Sequence, residues 1–126
     1  MNGKKIKILI VEDESIVKAI DIKFRNAGFE TDVARDGLIA LEKLREYRPD
    51  MVLLDILLPG MDGYSVLEKM RGDDAMKDIP VLVFSNFSDE PFMDKVRNLG
   101  VVGYIIKAHA RLEDLVAEAN RYFDKK

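Results

Sequence analysis

The chain has 126 residues, of which 48% are apolar and 34% charged, with a net charge of −3 and no cysteine. This size and balance are typical of one globular domain, and they exclude a disordered chain, disulfide bonds and thiolate metal sites. The weak acidity does not indicate nucleic-acid binding, no apolar run reaches membrane-spanning length, and the basic start lacks the long apolar segment of a secretory signal, so we expect a cytoplasmic protein.

The first half of the chain predicts three strands and two helices. An apolar run at residues 8–11 predicts the first strand, and apolar residues at helical spacing predict a helix that ends near Ala27. Residues 30–34 predict a weaker second strand, which we place at an edge of the sheet. Asp36 is the predicted N-cap of the second helix, and the run at residues 51–54 predicts the third strand.

The second half predicts two further strands and three helices. A loop rich in proline and glycine leads to a short helix at residues 64–71, and a proline introduces the fourth strand at residues 81–84. Ser88 is the predicted cap of the fourth helix. The fifth strand is predicted at residues 101–106 and the last helix at about residues 111–123.

Four of the five predicted strands are continuous apolar runs without polar alternation. Such strands are buried on both faces, as in a parallel sheet that is covered by helices. The sequence therefore predicts an α/β fold with a five-stranded parallel sheet and five helices on both faces. We treat residues 1–126 as a single domain, with residues 1–5 and 124–126 frayed.

Polar side chains stand directly after four of these strands. Glu12 and Asp13 follow the first strand, Asp55 the third, Ser85 the fourth and Lys107 the fifth. Ligands of open parallel sheets bind beyond the carboxyl ends of the strands, so these side chains should converge at one edge. Each of them alone is more typical of a helix cap or a loop, but all five together favour a functional site.

The three carboxylates of this set predict a cation site. Like charges in a small space must either protonate or bind a cation. A set of oxygen ligands without histidine or cysteine favours Mg²⁺ over zinc or copper. One Mg²⁺ and the Lys107 ammonium would balance Glu12, Asp13 and Asp55, which leaves a nearly neutral site that can receive an anionic phosphoryl group.

Four segments of the chain resemble the response regulator receiver domains of two-component signalling, of the chemotaxis-regulator type. They are residues 8–14 with the acidic pair, 55–63 with the central aspartate, 81–85 and 103–107, in the family's order over essentially the whole chain. The resemblance implies the flavodoxin-like, doubly wound fold with strand order 2-1-3-4-5. It also implies a phosphoacceptor switch that assists its own phosphorylation and dephosphorylation, and not an enzyme.

The resemblance further implies a nucleophile and a set of Mg²⁺ ligands. Asp55 resembles the residue that accepts a phosphoryl group from a phosphohistidine of a partner kinase. Asp13, Asp55 and the backbone carbonyl of Leu57 are implied as direct Mg²⁺ ligands, and Glu12 is implied to act through a coordinated water. Mg²⁺ usually keeps several waters, so a small set of protein ligands is sufficient.

The remaining matched residues are implied to bind phosphate and to transmit the signal. Lys107 would pair with one phosphoryl oxygen and the Ser85 hydroxyl with another, while Tyr104 would turn inward and change the surface of the fourth helix, fifth strand and fifth helix. The implied partners are a sensor histidine kinase or phosphotransfer protein and a downstream protein target or missing output domain, with no direct nucleic-acid or membrane contact. A homodimer through the same surface is a further option.

Two positions depart from the family's pattern. Ala108 stands where a proline usually follows the lysine in a cis peptide, and a cis bond before a residue other than proline costs about 3–4 kcal/mol. The Lys107–Ala108 peptide therefore either stores that strain or is trans. Asn86 replaces a usually small residue, and is either a plain loop residue or one that restricts access to the site.

Two other functions stay open at this point. One is a Mg²⁺-dependent phosphohydrolase with Asp55 as nucleophile, but haloacid-dehalogenase-like enzymes place a second acid where this chain has Leu57. The other is a binding module that keeps the fold and ignores phosphorylation. The departures at Ala108 and Asn86 are its only support.

Overall fold

The structure, a computed structural model, describes residues 4–124 as five strands that alternate with five helices. The strands are β1 (Lys7–Val11), β2 (Glu30–Ala34), β3 (Met51–Leu54), β4 (Val81–Ser85) and β5 (Gly103–Ile106). The helices are α1 (Val17–Asn26), α2 (Gly37–Tyr47), α3 (Gly63–Arg71), α4 (Glu90–Asn98) and α5 (Leu112–Asp124). A single 3₁₀ turn, Lys107–His109, connects β5 to α5.

The ends of the chain were predicted to be frayed over residues 1–5 and 124–126. Residues 1–3 and 125–126 lie outside the described residues, and Asp124 is the last residue of α5. None of the helices in residues 4–124 is long and apolar enough to cross a membrane.

All five strands are parallel and lie in the order β2-β1-β3-β4-β5. This order confirms the doubly wound fold and the placement of the second strand at an edge. β1 lies between β2 and β3, so that Ile10 pairs with Val33 on one side and with Leu53 on the other. The central strands therefore end side by side at one edge of the sheet.

The side chains of each central strand alternate between two hydrophobic clusters. On one face, Leu9 and Val11 pack with buried residues of α2, α3 and α4. On the other face, Ile8 and Ile10 pack with buried residues of α1 and α5. The helices thus cover both faces of the sheet, as the apolar runs predicted.

The predicted burial of four strands on both faces is confirmed for β1, β3 and β4 but wrong for β5. Every residue of β5 is partly exposed, and the strand begins at Gly103 instead of residue 101. The physical reason is position in the sheet, because β5 is an edge strand that pairs only with β4. An apolar run cannot by itself distinguish a central strand from an edge strand.

Three helices begin with an aspartate cap. Asp36 accepts a hydrogen bond from the Ile39 N–H at 2.8 Å, which confirms the predicted cap of α2. The predicted cap of α4 at Ser88 is wrong, because Asp89 accepts from the Phe92 N–H at 3.0 Å. Aspartate is as good an N-cap as serine, so the choice between neighbouring positions depends on where the backbone enters the helix.

Candidate functional site

The site is built where β1 and β3 end next to each other. The Asp55 N–H donates to the Val11 carbonyl at 3.0 Å, and the Glu12 N–H donates to the Ala34 carbonyl at 3.0 Å. The pairing between strands therefore continues one residue beyond β1 and β3. This extension holds the backbones of Glu12 and Asp55 beside each other, and both residues are buried, with 2% and 3% exposure.

The Lys107 side chain enters the site from the turn after β5 and binds three carboxylates. Its ammonium nitrogen lies 2.8 Å from Asp55 Oδ2, 2.9 Å from Glu12 Oε1 and 2.8 Å from Glu14 Oε1. The Lys107 side chain is only 8% exposed. One buried cation thus partly neutralises a cluster of acidic groups, although the three segments that form the cluster are far apart in the sequence.

Burial and charge shift the proton equilibria of this cluster. Burial raises the pKa of Glu12, a hydrogen bond from Lys107 opposes the shift, and the nearby charge of Asp55 adds to it. Burial disfavours the charged form of Lys107, but hydrogen bonds to Asp55, Glu14 and Glu12 outweigh burial and raise the Lys107 pKa. The lysine is therefore a permanent cation at neutral pH, and a second cation of the chain, Arg35, donates to the Asp13 backbone carbonyl at 3.4 Å.

The carboxylates are arranged so that a metal ion could bind. Glu12, Asp13 and Asp55 each offer an oxygen atom, and these atoms lie within 4.8 Å of one another. Asp13 is exposed, and within residues 4–124 its carboxylate makes no hydrogen bond or ion pair. The cluster therefore has a free oxygen donor on its solvent side, and an all-oxygen set fits a hard divalent cation such as Mg²⁺.

The Asp55 carboxylate is held on both oxygens. Asp55 Oδ1 accepts a hydrogen bond from the Leu57 N–H at 3.1 Å, and Oδ2 accepts from Lys107. The Leu57 side chain is 54% exposed, so this residue contacts the site through its backbone. The metal-ligand role of its carbonyl stays a prediction.

Close packing also holds Asp55 in place from the side of α3. A Cβ atom at Gly63 would lie 2.1 Å from the Asp55 carbonyl oxygen, so no larger residue fits without movement of the backbone. The Gly63 N–H donates to the Ile56 carbonyl at 2.9 Å. Glycine at this position thus lets α3 begin directly against the segment that carries Asp55.

The predicted residues Ser85 and Tyr104 both contact the loop after β4. Ser85 is fully buried, and its Oγ accepts a hydrogen bond from the Phe87 N–H at 3.2 Å. The half-buried Tyr104 donates its hydroxyl proton to the Phe87 carbonyl. Burial raises the pKa of Tyr104, and the charge of Asp55 adds to the shift. Phe87 therefore links the serine at the site to the tyrosine of β5.

Sequence reasoning did not anticipate two contacts near Lys107, one of them made by Asn86, which it had named only as a departure from the family's pattern. Glu14 is an exposed third partner of the lysine, and the only signal for it was its place in the acidic run after β1. Asn86 accepts a hydrogen bond from the Ala108 N–H at 2.8 Å. The Lys107–Ala108 peptide is trans, because residues 4–124 contain no cis peptide bond.

Comparisons with known proteins agree with this fold and identify a family. Residues 8–120 match the family described as the response regulator receiver domain. The chain is 38% identical over 110 residues to the DNA-binding response regulator MtrA of Mycobacterium bovis, an alignment that covers 85% of this chain and 46% of MtrA. It is 36% identical over 101 residues to the polar-differentiation response regulator DivK of Brucella anthropi, which covers 79% of this chain and 82% of DivK.

A solved structure supports the same relationship. The crystal structure of the phosphorylated cyanobacterial phytochrome response regulator RcpA has a TM-score of 0.80 and 33% identity, and the match covers 95% of this chain and 94% of that chain. The chain spans about half the length of MtrA and most of DivK. The family match includes every predicted site residue, from Glu12 to Lys107. The chain therefore belongs to the response regulator receiver domain family.

Proposed function

We propose that this receiver domain is the phosphoacceptor switch of a two-component phosphorelay, in which Asp55 takes a phosphoryl group from a phosphohistidine of a partner. The observation that carries the proposal is the position of the Asp55 carboxylate. It is 3% exposed at the end of β3, next to two further carboxylates that could hold a metal, and 2.8 Å from the Lys107 ammonium.

The transfer needs orientation of the acceptor more than covalent help from the protein. The Leu57 N–H and the Lys107 ammonium orient the Asp55 carboxylate through its two oxygens. One of these oxygens attacks phosphorus, and the bond from phosphorus to the partner's imidazole nitrogen breaks. The bonding electron pair stays on that nitrogen, and the product on Asp55 is an acyl phosphate.

The transferred group would be held by a cation and a hydroxyl from this chain. Lys107 can neutralise one phosphoryl oxygen, because its ammonium already points at the acceptor. Ser85 uses its oxygen as an acceptor for the Phe87 N–H, and no group within residues 4–124 takes its hydroxyl hydrogen. We propose that this hydrogen is donated to a second phosphoryl oxygen.

Charge balance explains why Mg²⁺ would be required. Glu12, Asp13 and Asp55 carry three negative charges, and Lys107 supplies one positive charge, which it shares with the additional carboxylate of Glu14, so an anionic phosphoryl group would be repelled. We propose that Asp13, Asp55 and the Leu57 carbonyl hold Mg²⁺ directly and that Glu12 binds it through water. When bound, the ion neutralises the negative charge that develops on the phosphoryl oxygens.

Contacts around Phe87 support a route from the site to the surface. Ser85 accepts from the Phe87 N–H, and Tyr104 donates to the Phe87 carbonyl. If Ser85 moves toward the phosphoryl group, the Phe87 N–H loses its acceptor. The Phe87 carbonyl, which accepts from the Tyr104 hydroxyl, is then no longer held in place. We propose that Tyr104 then turns inward and shifts the α4, β5 and α5 surface between two existing states.

We propose that cytoplasmic partners bind this domain at two places, the site at Asp55 and the α4, β5 and α5 surface. A sensor histidine kinase or a phosphotransfer protein would donate the phosphoryl group to Asp55. A downstream protein, or an output domain of a longer chain, would bind the α4, β5 and α5 surface, which could also form a homodimer. We propose that this domain does not bind nucleic acid or membrane directly.

Labelling with acetyl phosphate in the presence of Mg²⁺ tests the function. We expect one phosphoryl group per chain in the wild type, none in Asp55→Asn at an unchanged circular dichroism spectrum, and none in excess EDTA. Asp62→Asn is the matched control, because this exposed cap residue lies on the adjacent loop and asparagine caps a helix as well as aspartate. Full labelling of Asp55→Asn would exclude Asp55 as acceptor, and labelling undiminished by EDTA would exclude the metal.

A further inference from the structure

Two loops at the rim of the site are joined by a hydrogen bond that the proposed chemistry does not use. The Asn86 side-chain oxygen accepts from the Ala108 N–H at 2.8 Å. Asn86 directly follows Ser85, and Ala108 directly follows Lys107. The bond therefore connects the positions next to the two residues that would hold the phosphoryl group.

The turn that carries Lys107 has little internal support. It is a three-residue 3₁₀ turn, Lys107–His109, in which the Ala110 N–H donates to the Lys107 carbonyl at 3.3 Å. The first N–H groups of any helical turn have no partner within the turn and need an acceptor from elsewhere. Asn86 supplies such an acceptor from the loop after β4.

The two residues match each other chemically. Ala108 has a backbone N–H that a proline would lack, and the Lys107–Ala108 peptide is trans. Asn86 has a side-chain acceptor that a small residue such as alanine would lack. The two positions at which the sequence departs from the family's pattern are thus bonded to each other.

We propose that Asn86 is a positioning residue, which orders the turn after β5 and thereby holds the Lys107 ammonium beside Asp55. Asn86 and Ala108 are both exposed, so water can replace the bond if it is lost. Loss of this hydrogen bond therefore makes the turn less ordered but leaves no buried polar group unpaired. The catalytic consequence rests on the proposed role of Asp55, whereas the effect on the turn does not.

Solvent-exchange NMR of the Ala108 amide tests the effect on the turn. We expect Asn86→Ala to speed exchange about two- to tenfold, the range of one ordinary hydrogen bond, and to shift the side-chain ¹⁵N resonance of Lys107. Asn86→Asp keeps the acceptor and should keep the protection. Ser88→Ala is the matched control, because Ser88 is exposed in the same loop and makes no hydrogen bond to the turn. Unchanged exchange in Asn86→Ala overturns the proposal.

Labelling by acetyl phosphate tests the consequence for Lys107. We expect Asn86→Ala to be labelled about two- to tenfold more slowly than Ser88→Ala, at the same melting temperature. Asn86→Asp should be labelled at the rate of Ser88→Asp, which adds the same charge without the bond. Equal rates for Asn86→Ala and Ser88→Ala overturn the positioning role. If the wild type is not labelled at all, the proposed function fails, and amide exchange still decides whether Asn86 orders the turn.

Discussion

Replacing Lys107 with methionine is expected to destabilise the metal-free protein by about 3 kcal/mol at pH 7, the lower end of the cost of breaking a buried ion pair. The ammonium lies 2.8 Å from Asp55 and 2.9 Å from Glu12, which are 3% and 2% exposed. Without it, two buried carboxylates face each other unpaired. Glu14 is 63% exposed and contributes little to the loss, because solvent screens its charge.

Mg²⁺ and acid should each restore part of the lost stability. A cation that binds only the folded chain stabilises it by about 2.7 kcal/mol at 100 times its Kd, and Lys107→Met should bind Mg²⁺ more tightly because no ammonium competes. Burial already raises the pKa of Glu12, and loss of the opposing Lys107 hydrogen bond raises it further. The folded variant therefore binds more protons than the unfolded chain, so its stability rises as the pH falls from 7 toward 5.

Urea unfolding followed by circular dichroism measures these effects, in EDTA and in excess Mg²⁺. Lys77→Met is the matched control, because Lys77 forms a surface pair with Asp74 at 3.5 Å, and its loss should change stability by less than about 0.5 kcal/mol. The charge-balance reasoning is refuted if Lys107→Met is as stable as Lys77→Met in EDTA. It is also refuted if Mg²⁺ stabilises the wild type and Lys107→Met equally.

Two further substitutions test the packing and capping around the site. Gly63→Ala should cost at least about 2 kcal/mol, since the added Cβ would lie 2.1 Å from the Asp55 carbonyl oxygen, whereas Gly72→Ala, with its nearest neighbour at 3.6 Å, should cost less than about 1 kcal/mol. Similar urea midpoints for the two variants would contradict this contact. Asp89→Ala should cost about 1 kcal/mol by removing the cap of α4, and Ser88→Ala almost nothing. A larger loss of melting temperature in Ser88→Ala would place the start of the helix one residue earlier.

The order of strands and helices and the burial of the central strands follow from local pattern. The strands β1, β3 and β4 are apolar throughout except for Lys7 at the start of β1 and Ser85 at the end of β4, and the helices between them carry apolar residues at helical spacing. A parallel sheet with helices on both sides buries such strands on both faces. Because parallel strands end at the same edge, the approach of Glu12, Asp55 and Lys107 could be anticipated from the residues that follow each strand.

Predictions from local sequence pattern were wrong where burial or helix capping depended on how neighbouring segments pack. β5 is as apolar as a central strand, but it lies at an edge and is partly exposed throughout. Ser88 and Asp89 are both good caps, and only the path of the chain into α4 selects Asp89. The strand order of the sheet also came from the resemblance to a family and not from periodicity.

By itself, the sequence determined the class of fold and the chemical groups at the carboxyl ends of the strands, since both depend on residue type and on short spacings. Only the tertiary structure decided which groups meet. Glu14 reaches Lys107 across 93 positions of the chain, and Asn86 bonds to Ala108 across 22. Such contacts depend on how separate loops approach one another in space, and local periodicity in the sequence does not predict how close two loops lie.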